Sequence, residues 1–329
     1  MSALGRVGGV TDPGRRRRRN EDAYVIEPPL FAVADGMWGA QAGEVASRLA
    51  AAALKESGAD EGGEQRIVSL IQEANRRVYD RSNRDPNASG MGTTMTVALV
   101  ENGQVAFGHV GDSRAYLIRD GSLEQLTEDH SLVAELMRSG KLSPEEAETH
   151  PQRSVITRAL GTDPDVDVDT FTIAAKGGDV FLLCSDGLTT MVSNDSILAL
   201  VEGHRGDMDG TLRALVNAAN RGGGEDNVTV VAFEISAETS AHDGDTREQA
   251  RPTAVASLED EDTLTEEDAV PVVDTAVIPA AEIQAELKAQ QRHERAVRRR
   301  HLRRRFLAWL VVLLIVAAVA LVLYLRFVR

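Results

Sequence analysis

The sequence predicts an α+β fold in which antiparallel sheets are covered by helices, together with one C-terminal transmembrane helix. Three observations carry this. Short apolar and β-branched runs flank the two-residue turns Asn102-Gly103 and Asp120-Gly121, which favour antiparallel hairpins. Helical patterns stand apart from these hairpins instead of alternating one-for-one with strands, so a parallel sheet is not expected. Residues 306–325 carry no charge and are rich in Leu, Val and Ala. At about 1.5 Å per residue such a run spans a hydrocarbon core of about 30 Å.

In chain order, 30–34 is an apolar strand ending at Asp35, and helical patterns follow over 43–55 and 65–83. Strands 94–101 and 104–109 flank the first turn, and 113–119 and 123–126 flank the second. A helix is expected over 127–139. The run 180–184 makes the clearest strand, 179–185, and ends at Asp186. Helices over 195–201 and 211–220 precede a last β-branched strand, 228–234. These elements define a folded domain over 1–236.

Residues 237–291 are acidic, nearly free of aromatics, and carry prolines at 252, 271 and 279, which predicts a flexible linker. Eight arginines then crowd into 292–305, a basic juxtamembrane segment suited to anionic lipid. Trp309 and Tyr324 lie near the two ends of the apolar run, where interfacial aromatics are expected. The tail 326–329 adds only Arg326 and Arg329, so the positive-inside rule predicts a single-pass protein of the cell membrane with its domain in the cytoplasm.

Composition narrows the function. The 329 residues are 43% hydrophobic, enough for a sizeable core. An excess of acid, 51 Asp+Glu against 36 Lys+Arg, argues against a nucleic-acid partner. A single cysteine, Cys184, excludes an intramolecular disulfide framework and fits a reducing compartment. Its place within a buried strand predicts core packing.

Acids stand where strands begin or end: Glu21 and Asp22, Asp35, Asp112, Asp186 and Asp226. Such acids can converge on one edge of a sheet sandwich, where their mutual repulsion is relieved by hard divalent cations that prefer oxygen ligands. No Cys/His cluster suits zinc.

Eight segments then appear in a recognisable order: RRRNED at 17–22, DGM at 35–37, GEVAS at 43–47, MGTT at 91–94, GDSR at 111–114, HPQR at 150–153, SDGL at 185–188 and DNVT at 226–229. In these the chain resembles the bacterial metal-dependent protein serine/threonine phosphatases of the protein phosphatase 2C family. The resemblance covers about 230 residues. It implies an α-β-β-α sandwich of two antiparallel sheets flanked by helices. It also implies Mn2+ or Mg2+ as cofactor, two core ions and a third weaker one.

The resemblance assigns roles to residues. Asp35 matches the carboxylate bridging two ions, and the Gly36 carbonyl a further ligand. Asp186 and Asp226 match ligands of the other ion. Glu21 and Asp22 match acids that hold metal-bound waters or touch the metal. Asp112 matches a ligand of the third ion, and Arg17 the phosphate-binding arginine. His150, in the segment 136–160 that resembles the family's flap, is a candidate substrate contact. The expected reaction is hydrolysis of phosphoserine and phosphothreonine by a metal-bridging water. Expected partners are phosphorylated Ser/Thr proteins, including a transmembrane Ser/Thr kinase that the enzyme opposes, and the chain is expected to be a monomer. His109 and His130 are further candidates for a general acid, with a structural role the commoner fate of a lone histidine. One departure stands out: bacterial relatives usually read Asp-Gly-Met-Gly-Gly-His, whereas this chain places Trp38 and Ala40 after Met37. The intact acids argue for an enzyme over a catalytically dead phosphoprotein-binding domain.

Overall fold

A computed structural model describes residues 4–37, 42–56 and 62–236. The linker, the basic segment, the apolar run 306–325, the tail, and Trp38 and Ala40 lie outside the described residues. Among the described residues no helix is long and apolar enough to cross a membrane.

Eleven strands and seven α-helices are described, with one short 3-10 turn at Pro86–Ala88. The strands are β1 Leu4–Asp12, β2 Asp22–Glu27, β3 Leu30–Met37, β4 Gly92–Thr93, β5 Met95–Glu101, β6 Gln104–Val110, β7 Arg114–Arg119, β8 Ser122–Gln125, β9 Asp169–Ala174, β10 Val180–Cys184 and β11 Val228–Ile235. The helices are α1 Ala42–Glu56, α2 Gly63–Arg84, α3 Leu132–Arg138, α4 Pro144–Glu148, α5 Asp186–Thr189, α6 Asn194–Gly203 and α7 Met208–Gly222. One sheet runs β1-β11-β10-β7-β8; the other runs β2-β3-β5-β6-β9, with β4 beside β3. Every strand pairing is antiparallel.

Strand β10 shows why its sequence is continuously apolar. Side chains alternate across a strand. Phe181 and Leu183 enter the layer between the two sheets, while Val180, Leu182 and Cys184 face the layer under α6 and α7. With both faces buried, no polar residue fits. The inter-sheet layer is a chain of rings: Phe31 on Phe233 at 4.3 Å, Phe233 on Phe181 at 5.2 Å, and Phe181 on Phe107 at 5.8 Å. A third layer packs α1 and α2 on the second sheet through Ala46, Ala50, Ile67 and Ile71. The order is therefore helix, sheet, sheet, helix, as expected. Cys184 is fully buried and its thiol is pushed up to about 12 by burial, so it packs rather than reacts.

Two parts differ from the expectation. The helix expected over 127–139 starts only at Leu132, because the backbone before it is already engaged. Thr127 Oγ1 accepts from Ala115 N, His130 N donates to Gly111 O, and Ser131 caps the helix by accepting from Ala134 N. Strand β1 was not apparent from its residues, since Gly8 and Gly9 have low strand propensity. Both are required by contact: a Cβ on Gly8 would lie 2.8 Å from Leu212, and one on Gly9 2.6 Å from Ile26. The edge strand β9 and the short helices α4 and α5 were likewise unassigned.

Candidate metal centre

The acids meet at one end of the sandwich. Asp22 opens β2 and is paired in register with Asp35 on β3. Asp112 sits in the turn from β6 to β7, Asp186 begins α5 directly after β10, and Asp226 stands just before β11. Both sheets thus contribute, and each acid lies at a strand end or within two residues of one.

Hydrogen bonds fix this end. The Asp35 carbonyl accepts from Thr94 N at 2.9 Å and Thr93 Oγ1 at 2.8 Å, and Asp35 N donates to Thr94 Oγ1 at 3.0 Å. Thr94 Oγ1 is also 2.7 Å from Ser113 Oγ, which links the Asp35 strand to the Asp112 turn. Ser185 Oγ donates to Asp22 Oδ2 at 2.8 Å and accepts from Thr229 N at 2.9 Å. Asn227 uses its whole amide: Oδ1 accepts from Glu21 N, and Nδ2 donates to Pro13 O and Arg19 O. Gly36 admits no side chain, because a Cβ would lie 2.1 Å from Gly43 O. Gly187 is equally closed, 2.0 Å from Asn227 O. The positioning roles of Thr94, Ser185 and Asn227 were missed in the sequence, although each lies inside a recognised segment.

The electrostatics call for cations. Burial first, then Asp22, Asp186, Asp226 and Asp112, push the Asp35 carboxyl well above its ordinary range. Burial and then Asp112, Asp226 and Asp22 do the same to Asp186. Burial lifts Asp22 to about 6 against the bonds from Thr229 and Ser185. Burial and Asp129 lift Asp112 to about 7. Burial lifts Glu21 to about 7 against the pull of Arg17. Asp22 Oδ1 is buried without a hydrogen-bond partner, which is costly unless something else meets it. An all-oxygen donor set with an orphaned carboxylate oxygen fits Mg2+ or Mn2+. Among the described residues no three of these side chains already form a closed ligand set. Carboxylates that repel one another and take an ion partly through waters are expected to stand apart in this way.

Arg17 lies beside the acids. Its NH2 reaches Asp226 Oδ2 at 2.8 Å. Burial works against its charge, but Asp226, Glu21 and Asp35 overcome that and raise its pKa. The Arg17 side chain is 22% exposed, and only one of its nitrogens bonds Asp226. His150 is turned onto its own loop, Nδ1 accepting from Gln152 N at 3.2 Å, and none of its bonds between described residues reaches the carboxylates. His109 and His130 are buried. Burial and His130 hold His109 down to about 3, and its Nε2 faces the Glu128 carbonyl at 3.1 Å. His130 Nδ1 accepts from Gly111 N and its Nε2 faces Asp169, so both rings act as structural ties.

The arrangement places sites for hard divalent cations and a fork for a phosphate side by side, the equipment of a metal-dependent phosphoester hydrolase. Residues 15–222 match the Protein phosphatase 2C family, and the chain belongs to that family. It is 41% identical over 236 residues to the serine/threonine phosphatase stp of Listeria monocytogenes, covering 68% of this chain and 93% of that protein. It is also 41% identical over 233 residues to the serine/threonine protein phosphatase PstP of Mycobacterium tuberculosis, covering 70% of this chain and 45% of that protein. The crystal structure of Mycobacterium tuberculosis PstP/Ppp superposes with a TM-score of 0.67 at 38% identity, over 71% of this chain and all of the other. A structure of the PstP catalytic domain in complex with two manganese ions gives 0.65 at 37% identity, over 71% of this chain and 99% of the other.

Proposed function

We propose that this chain is a Mn2+- or Mg2+-dependent protein serine/threonine phosphatase held at the cytoplasmic face of a membrane, where it opposes a Ser/Thr kinase. The observation that carries the catalytic reading is the set Asp22, Asp35, Asp112, Asp186 and Asp226, brought from both sheets to one end, with Arg17 alongside. When bound, divalent ions neutralise these carboxylates, and they acidify and orient a water for in-line attack on phosphorus. The chain's own residues hold the rest. Arg17, braced on Asp226, presents its remaining N–H groups to phosphate oxygens in a planar fork. Ser185 fixes one oxygen of Asp22 and leaves the other buried without a hydrogen-bond partner. Thr93 and Thr94 hold the Asp35 main chain, and with it the Gly36 carbonyl that follows. Water oxygen bonds to phosphorus as the P–O bond to the serine or threonine oxygen breaks, and a proton given up by the water passes to the departing oxygen, which leaves as the neutral serine or threonine hydroxyl.

The membrane reading rests on sequence: the uncharged run 306–325, the eight arginines of 292–305 before it, and only two after it. The same arginines suit anionic lipid, and a membrane-bound kinase would share the surface. The only large apolar side chains exposed among the described residues are Val45 and Met137, which favours a monomeric domain.

The test is hydrolysis of p-nitrophenyl phosphate and of a phosphothreonine peptide by the full chain. Turnover that needs Mn2+ or Mg2+ and stops with EDTA is the expected result. Turnover indifferent to EDTA would overturn the reading.

A further inference from the structure

We infer that Arg15 and Arg16 form a basic rim that selects phosphopeptides with acidic residues beside the phosphorylated one. This rests on the phosphatase reading and adds a substrate class to it. Both arginines are exposed and lie one and two residues before Arg17. Their loop is fastened to the loop that bears Asp226. Arg15 N and Arg16 N both donate to Gly224 O, at 2.7 and 3.1 Å. Asn227 Nδ2 clasps both ends of the arginine loop, Pro13 O at 3.0 Å and Arg19 O at 2.9 Å. Gly14 adopts φ +78°, and a Cβ there would lie 2.2 Å from Asp226 O. The rim is therefore held at a fixed place beside the phosphate fork.

Charge pairing sets these two residues apart from most arginines of the domain. The chain holds 51 acids against 36 basic residues, and several exposed arginines elsewhere rest on acids: Arg76 on Glu73, Arg84 on Asp80, Arg205 on Glu202. Arg15 and Arg16 form no ion pair with a described acid. The exposed Glu225 is engaged instead by Arg153, at 4.0 Å. An extended peptide advances about 3.3–3.6 Å per residue. With its phosphate on Arg17, side chains one to three positions away fall within reach of these guanidinium groups. Acidic side chains there gain paired charge, and basic ones meet repulsion.

The experiment uses the full chain in detergent micelles with Mn2+. The substrates are phosphothreonine peptides that differ only in carrying Asp, Ala or Lys at the positions flanking the phosphothreonine. The expected kcat/KM for the Asp peptide is about five- to tenfold above that for the Ala peptide, a ratio that shrinks as salt is raised. The double variant Arg15→Ala/Arg16→Ala brings the ratio close to one, and Arg15→Glu/Arg16→Glu favours the Lys peptide. Arg205→Glu, elsewhere on the domain, leaves the ratio as it was. Equal turnover of all three peptides by the unaltered chain would overturn the inference, as would a preference that survives both double variants. Loss of binding to phosphatidylglycerol vesicles in those variants, with the peptide ratio unchanged, would assign the rim to a lipid surface and overturn it equally. Absence of turnover on every phosphopeptide would remove the phosphatase reading and this one with it. Turnover without discrimination removes only this one.

Discussion

Asp35 stands among four other carboxylates on a strand whose main chain is fixed by Thr93 and Thr94, so its charge cannot move away from its neighbours. Asp35→Asn keeps the shape and removes the charge. The expected result is loss of most turnover, with weakened Mn2+ binding in calorimetry and an unchanged fold by circular dichroism. Near-normal turnover would show that the ions do not depend on Asp35. Arg17→Ala is expected to raise KM for small phosphoesters, with a lesser effect on Mn2+ affinity, since Arg17 contacts Asp226 through one donor only. His109 gives a pH prediction. Its folded pKa of about 3 lies below the unfolded value of about 6.5. Below about pH 6.5 the unfolded chain gains a proton that the folded one refuses, so this residue lowers stability as pH falls towards 3. The raised carboxyls act in the opposite sense. The difference between wild type and His109→Gln isolates the histidine, and urea denaturation at pH 7 and pH 5 should show a shallower acid loss in the variant. Equal slopes would remove the assignment. At this scale the acids were legible because strand-end acids carry both a spacing and a chemistry. Ser185 and Asn227 were not, because a hydroxyl or amide signals its partner only once the β10 and β11 ends are side by side.

Elements set the site's geometry through their ends. Ser185 caps β10 and reaches across to Asp22 on the other sheet, while accepting from Thr229 on β11. Removing that hydroxyl takes the 2.8 Å bond from Asp22 Oδ2 while Oδ1 stays without a partner, although the strands remain paired. Ser185→Ala is therefore expected to lower Mn2+ affinity about tenfold, as loss of a group that orients a metal ligand commonly does. Titration calorimetry reads this, and unchanged affinity would show that Asp22 needs no such support. The Asp112 turn is joined to the rest through Ser113 and Thr94. Asp112→Ala is expected to weaken one ion and spare the others, and loss of every binding step would contradict that. Strands read from sequence where alternation or a two-residue turn marked them, as at β5, β6, β7 and β8. Helix α3 starts later than the pattern suggests because residues 127–131 are already tied to the ends of β6 and β7, the Thr127 hydroxyl to Ala115 N and His130 N to Gly111 O. Strand β1 was hidden because its glycines answer to α7 and β2, which are distant in sequence.

For the whole molecule, every candidate metal or phosphate ligand lies at or before Asp226, and the last strand of the sandwich, β11, ends at Ile235. The chemistry is thereby separated in sequence from the basic segment and the apolar run that follow. The family match, residues 15–222, also falls within this part and stops just before Asp226. If the two parts are independent, the C-terminal part decides where the enzyme acts and leaves the rate of the chemical step alone. Deleting 292–329 is then expected to yield a protein recovered without detergent. Its kcat on p-nitrophenyl phosphate should stay close to that of the full chain, since the deletion removes no candidate metal or phosphate ligand. Dephosphorylation of a membrane-embedded kinase in cells should slow, because the local concentration given by sharing one surface is lost. The pair of readouts separates the possibilities. A truncated protein that stays folded but no longer hydrolyses the small substrate would make the tail part of the catalytic unit. One that hydrolyses both substrates at the full chain's rates would leave 292–329 without a role in targeting.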